Sequence, residues 1–206
     1  MCIRDRNEPV ALVIDANSNL LIADQSNNRI RKIDLSSGVI TTIVGTGESG
    51  YNGDGALGPD AALAGPSGLA LDSEGNLYIA DTFSSRIRKI DQKTGLIETV
   101  LGGTGVYQFV AVQNESSESL SRPYAIAIDT NDRLFITDTD NHLIRVWDTQ
   151  KREMSLLAGI GKAEFSGDGG NPSNSGLNYP FGVAVDRQGH VYIADTFSHR
   201  IRIVVK

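Results

Sequence analysis

The chain has 206 residues, 40% hydrophobic and 21% charged, with 22 glycines and 6 prolines; this composition suits a turn-rich globular domain large enough to bury a core. A net charge of −6 disfavours a phosphate-binding surface unless basic residues cluster, and the single cysteine, Cys2, excludes a disulfide within the chain. No run of 18 apolar residues is present to form a membrane-crossing helix.

Residues 1–8 open on MCIRDR, which has no apolar signal-peptide core and matches nothing else in the chain. They are expected to be a non-native scar or an unstructured stretch outside the fold. From there the sequence repeats. Pro9, Pro66, Pro123 and Pro180 stand 57 residues apart, as do Asp15, Asp72, Asp129 and Asp186, and Asp24, Asp81, Asp138 and Asp195. Ile30, Ile87, Ile144 and Ile201 follow, each with an arginine after it: Arg31, Arg88, Arg145 and Arg202. The repeats are 9–65, 66–122, 123–179 and 180–206.

In chain order, the first repeat predicts strands near 10–15, 19–24, 29–34 and 39–45, here named a, b, c and d. The second predicts them near 67–72, 76–81, 86–91 and 96–102, and the third near 124–129, 133–138, 143–148 and 153–159. The fourth repeat has room for three, near 181–186, 190–195 and 200–205. The joins are turn chemistry: Asp72-Ser73-Glu74-Gly75 between a and b, and Asp34-Leu35-Ser36-Ser37-Gly38 between c and d, place Gly where positive φ is wanted. Joins this short make successive strands antiparallel hairpins. Strand b of the second repeat is apolar at Leu77, Tyr78, Ile79 and Ala80, so both faces of its sheet must be covered. Four-stranded meanders buried on both faces and repeated in tandem predict an all-β propeller.

The repeats resemble NHL repeats, the family named for the triplet that stands here at Asn141-His142-Leu143. NLYIAD at 76–81, the run His199-Arg200-Ile201-Arg202 and the loop FSGDGG at 165–170 carry the resemblance, which covers residues 9–206. It implies a β-propeller, most often six-bladed, but no single function: relatives include RNA- and protein-binding domains, extracellular sensor domains and a metal-dependent amidating lyase. Secreted, periplasmic or cell-surface placement is an expectation from the resemblance alone. Three repeats and a fourth that stops at strand c make about three and three-quarter blades, expected as an open arc and a fragment of a longer propeller. Such a chain is expected to self-associate through its open blade faces.

Any site is expected on the face that carries the b–c turns and the long d–a loops. The candidate partner-binding residues there are Tyr51, Asp54, Phe83, Tyr107, Phe109, Asp140, His142, Phe165, Asp168, Phe197 and His199. His142 shares its slot with Asn28, Ser85 and His199, which marks an exposed polar turn rather than a catalytic base. Gly53-Asp54-Gly55 and Gly167-Asp168-Gly169 read as shaped loops with Asp bonding nearby amides, because no calcium-loop spacing accompanies them. The Asp24/Asp81/Asp138/Asp195 series has Arg29, Arg86 and Arg200 five residues on; Leu143 in the third repeat favours turn-amide bonding over ion pairing. The d–a loop 103–122 lacks the Gly-Asp-Gly and carries Tyr107, Phe109, Val110 and Val112.

No metal, cofactor or catalytic set can be assembled from these residues, and three histidine ligands for a zinc are not at hand. The three d–a loops carry seven acids against two bases, the wrong sign for nucleic acid. No membrane insertion is expected. The expected function is a non-catalytic binding module for a protein, peptide or glycan. The alternative is part of a propeller lyase or hydrolase whose catalytic or metal residues lie in blades outside this chain.

Overall fold

The computed structural model describes residues 5–103 and 119–206. Among them are fifteen strands and only short 3-10 turns besides, and the strands fall within two residues of their predicted positions. The described residues form two compact halves, one ending at Gly103 and one ending at Lys206.

The first half holds two four-stranded antiparallel meanders. One runs β1 (Pro9–Ile14), β2 (Asn19–Asp24), β3 (Arg29–Asp34) and β4 (Ile40–Val44); the other runs β5 (Pro66–Leu71), β6 (Leu77–Asp81), β7 (Arg86–Ile90) and β8 (Ile97–Gly102). The second half holds β9 (Pro123–Ile128), β10 (Arg133–Asp138), β11 (Leu143–Asp148) and β12 (Glu153–Ala158), then a three-stranded sheet of β13 (Pro180–Val185), β14 (Val191–Asp195) and β15 (Arg200–Val204). These are four propeller blades, the last with strands a, b and c.

The tight a–b turns are clipped by their first residue. Asp15 Oδ1 accepts from Asn17 N (2.9 Å) and Asn19 N (2.8 Å), while Oδ2 accepts from Asn19 Nδ2 (2.8 Å). Asp72, Asp129 and Asp186 repeat the arrangement. The c–d turns use Asp34, Asp91 and Asp148 in the same way, and the bonds from Ser36 and Ser37 pull the Asp34 carboxyl down to about 2.

Each half has its own core between its two blades. In the first, Leu21, Ala23, Ile30 and Val44 of one blade meet Leu69, Leu77, Ile79 and Ile97 of the next. In the second, Phe135, Ile144 and Ala158 meet Val191 and Ile193. Ile22, Ile79, Ile136 and Ile193, expected as deep strand-b residues, are all buried. Full burial of such a side chain is worth about 1.5–3 kcal/mol. Leu12 and Ile14 on β1 and Ile201 and Ile203 on β15 are more than half exposed.

Residues Asp5–Glu8 were expected outside the fold but are tied to it. Asn7 N donates to Asp24 Oδ1 (2.8 Å), Ser26 Oγ to Glu8 Oε2 (2.6 Å), and Arg31 Nη2 to Asp5 Oδ2 (3.2 Å). The reason is the repeat: Asn7 stands where Ala64, Ser121 and Asn178 stand, and their amides make the same bond.

Candidate functional site

Within each half the d–a loop and the b–c turn of the following blade share one face, joined by backbone bonds such as Phe83 N to Ala64 O (2.9 Å) and Phe197 N to Asn178 O (3.0 Å). Each b–c turn is a single 3-10 turn closed by a left-handed residue: Asn28, Ser85, His142 or His199.

Beneath that face lies a recurring ion pair that fixes it. Asp24, Asp81, Asp138 and Asp195 are fully buried at the ends of the b strands. Each accepts a loop amide that precedes it by 17 residues, at 2.6–2.8 Å. Their arginine is not the one five residues on. It is Arg31, Arg88, Arg145 or Arg202, seven residues on, at 3.6, 3.6, 2.8 and 3.8 Å. Arg86 and Arg88 share one face of β7, but Arg88, opposite Ile79, is fully buried, whereas Arg86, at the strand end, donates to Ser84 O (2.6 Å) and lies under the Tyr51 ring. Burial pushes the Asp81 carboxyl up to about 6, against the lowering effects of Ser84, the Ala64 amide and Arg88.

The two Gly-Asp-Gly loops complete this clamp. Arg88 Nη2 donates to Asp54 Oδ1 (2.7 Å) and Asn52 O (3.0 Å); Arg202 Nη2 donates to Asp168 Oδ1 (2.7 Å) and Ser166 O (2.8 Å). So these aspartates bond arginine rather than neighbouring amides. Burial acts to raise the Asp54 carboxyl, but Thr99, Tyr51 and the Arg88 charge bring it below its ordinary value. The aromatic that opens each loop covers the arginines: the Tyr51 ring lies 3.6 Å from the Arg86 guanidinium, and Phe165 lies 3.9 Å from that of Arg200. Each such stacking adds about 0.5–2 kcal/mol. The carboxylates and one face of each ring are engaged by arginine, which shapes the loops, while Tyr51, Phe165 and Asp168 stay exposed.

His142 is a turn residue, as expected, but it is buried and not exposed. Its Nδ1 accepts from Tyr179 N (3.1 Å), and its ring meets that of Tyr179 edge-on at 4.4 Å. Asn28 makes the matching bond in the first half, with Oδ1 accepting from Gly65 N (2.9 Å). The slot is therefore a strut between adjacent blades. Burial lowers the His142 pKa, only partly offset by Asp140 and Asp195. Asp140 is also buried and pairs with Arg122 (2.7 Å), so it too departs from the exposed loop residue expected.

The most exposed large apolar side chains on this face are aromatic. Phe83 and Phe197 are each more than half exposed at the b–c turns, and His199 is exposed beside Phe197. In the second half Phe197 belongs to a chain of rings: Tyr124–Phe181 at 4.9 Å, Phe181–Phe197 at 6.1 Å, Phe197–Tyr179 at 5.1 Å, then His142. The Arg122 guanidinium stands 5.7 Å from the Phe181 ring. Tyr124, Tyr179 and Phe181 were not singled out from sequence; the signal was available, because their slots in the first half hold Glu8, Val10, Gly65 and Ser67. Tyr107 and Phe109 lie outside the described residues. Among the described residues no group of three or more His, Cys, Asp or Glu side chains is placed to hold a metal ion.

Comparison with known proteins agrees with the repeat pattern. The teneurin NHL domain matches residues 47–115, and the NHL repeat matches 120–147 and 177–204. NHL repeat-containing protein 2 of Gallus gallus is 33% identical over 83% of this chain, and SUPPRESSOR OF QUENCHING 1 of Arabidopsis thaliana is 32% identical over 91%. The chain spans only 25% and 18% of those two proteins. A crystal structure of a protein of unknown function from Bacteroides thetaiotaomicron superposes with a TM-score of 0.72 at 22% identity, over 93% of this chain and 46% of that one. That likeness is one of fold. With its matched repeats, its buried Asp–Arg pairs and its meander sheets, the chain belongs to the NHL-repeat family of β-propellers.

Proposed function

We propose that the chain is a non-catalytic interaction module, and that the aromatic stretch on its b–c/d–a face contacts a protein, peptide or glycan partner. The observation that supports this most is the concentration of departures from the chain's own repeat. Aromatic residues occupy slots that hold Glu, Val, Gly and Ser in the first half, and Phe197 stays more than half exposed where Ser26 stands in the first repeat. Glu8, Arg122 and Tyr179 adopt φ of 53°, 49° and 47° in the slot that Gly65 fills without strain. A bulky side chain there costs about 1–2 kcal/mol, a cost that clusters at functional positions. Large, rigid rings are also what binding surfaces use.

The test uses the whole 206-residue protein on peptide and glycan arrays, with Phe197→Ser beside it. Serine already occupies that slot at Ser26, so the turn is preserved. Ligands captured by the wild type should lose about tenfold in affinity, 1.4 kcal/mol, with the melting temperature unchanged. A wild type that captures nothing, or a variant that binds equally well, would refute the reading.

A further inference from the structure

The opposite side of the first half carries a cavity. It lies between the two blades, near the a–b and c–d turns, with a volume of about 510 Å3 and walls of Leu21, Ile43, Leu57, Leu71, Leu77 and Ile90. The repeat-equivalent space of the second half, lined by Phe135, Val146, Leu157 and Val191, is about 220 Å3. The two differ first by a ring. The slot of Leu21 holds Tyr78, Phe135 and Tyr192 in the other repeats, so the first repeat alone has no aromatic there. In the second half the Phe135 ring is buried against Val191 and Ile193. In the first half Leu21 meets Leu77 and Ile79 with a smaller side chain, and the space a ring would take is open.

The two differ next in charge. Asp15, Lys32 and Asp91 line the first cavity, two negative groups against one positive. Asp15 and Lys32 offset each other: burial acts to raise the Asp15 carboxyl, but Asn19, Asn17 and the Lys32 charge bring it below its ordinary value. Asp91 is also held low, first by the Thr94 amide and hydroxyl, so it is ionised at neutral pH. Its bonds from Lys93 N, Thr94 N and Thr94 Oγ1 all fall on Oδ1, and Oδ2 accepts none among the described residues. Lys89 also favours the charged form of Asp91, but it is itself paired with Glu98 at 3.4 Å. In the second half the slot of Asp91 holds Val205, and the charged residues lining the space are Arg133 and Lys206. The first cavity is thus larger by a ring and opposite in sign.

We infer that this cavity binds an arylalkylammonium, a small organic cation whose ring fills the gap beside Leu21 and whose ammonium pairs with the Asp91 carboxylate. Its volume falls in the range of small-molecule sites, about 300–1,000 Å3, and such sites are mostly apolar with few polar anchors. Lys32 stands across the β2–β3 pair from Leu21, at the ring end, so the ligand's charge is directed to Asp91 on the other blade. A bond between two ionised groups is also stronger than a neutral one. An anion of the same skeleton meets a lining of its own sign, and a cation without a ring leaves the gap empty.

The experiment follows the leucine and isoleucine methyl signals of the purified 206-residue protein by NMR during titration with phenylpropylammonium. The methyls of Leu21, Leu71 and Ile90 should shift and saturate. Phenylpropanoate, the anion of like size, and propylammonium, the cation without a ring, should each bind about tenfold more weakly or worse. Two variants accompany it. Leu21→Phe supplies the ring from the protein, as Phe135 does, and Asp91→Asn removes the charge while keeping Oδ1 as the acceptor of the turn. Each should weaken phenylpropylammonium about tenfold or more. Shifts confined to methyls outside the cavity, no saturable shift, or a Leu21→Phe protein that binds like wild type overturns the site. Equal binding of phenylpropanoate, or no effect of Asp91→Asn, overturns the ammonium assignment, and equal binding of propylammonium overturns the ring. Should Leu21→Phe fail to fold, the propylammonium comparison and Asp91→Asn still decide.

Discussion

Replacing His142 with Ala should destabilise the second half of the chain by about 2–4 kcal/mol. The magnitude has two parts. The Tyr179 amide loses its acceptor, and a buried donor left unsatisfied costs about 1–3 kcal/mol. The edge-on contact with the Tyr179 ring, centroids 4.4 Å apart, contributes about 0.5–1.5 kcal/mol more. His142→Asn separates these terms. Asn28 shows that an asparagine in this slot reaches the same amide, and asparagine accepts the left-handed backbone readily. That variant should therefore lose only the ring contact, about 1 kcal/mol. Urea unfolding followed by fluorescence reads both, because Trp147 is the only tryptophan and is buried in the same half. A midpoint for His142→Ala within about 0.5 kcal/mol of wild type, the value of an ordinary surface change, would refute the strut.

Ile79→Ala should cost about 2–5 kcal/mol in urea unfolding followed by circular dichroism, which reads the strands of the first half, since Ile79 is fully buried; a loss under 1 kcal/mol would mean that the cavity collapses. Arg88→Met should cost about 3–5 kcal/mol because Asp81 is left buried and Asp54 loses its partner, and pairing it with Asp81→Asn should recover part of the loss; strict additivity would argue against the ion pair. The Asp81 carboxyl, raised from 3.8 to about 6, gives stability that is present below pH 3.8 and is lost as pH rises through about 6. His142, lowered from 6.5, gives stability that is present above pH 6.5 and lost on acidification, because its protonation removes the acceptor for Tyr179. Melts between pH 4 and 7 should therefore show Asp81→Asn rising more steeply with pH than wild type and His142→Asn rising less steeply; profiles that coincide would refute both assignments.

The strands and their turns were legible because each rests on local signals: β-branched runs bounded by Asp and Gly, repeated every 57 residues. The arginine clamp was not. Arg31, Arg88, Arg145 and Arg202 recur in the sequence as plainly as the aspartates do, but the burial of Arg88 depends on Asp54, which approaches from 34 residues upstream. A sign of it was present within the chain. Arg-Ile-Arg stands on strand c at 29–31, 86–88 and 200–202; the last two follow loops with an aromatic ahead of Gly-Asp-Gly, while the repeat with Leu143 follows a loop without one. The loop and the strand vary together because they stack on each other.

His142 shows how a sound substitution pattern leads to the wrong environment. Asn, Ser and His in one slot suggest a position open to water, where any polar group serves. The structure gives the slot a narrower demand: a left-handed backbone and, where a following blade is packed against it, an acceptor that reaches an amide 37 residues on. Asn Oδ1 and His Nδ1 both meet it, so the slot tolerates change in side-chain identity while holding one hydrogen bond fixed. At Asn28 and His142 the polar side chain thus reports a shared lone pair and not exposure, and the loss of that lone pair in His142→Ala is the change that should be felt.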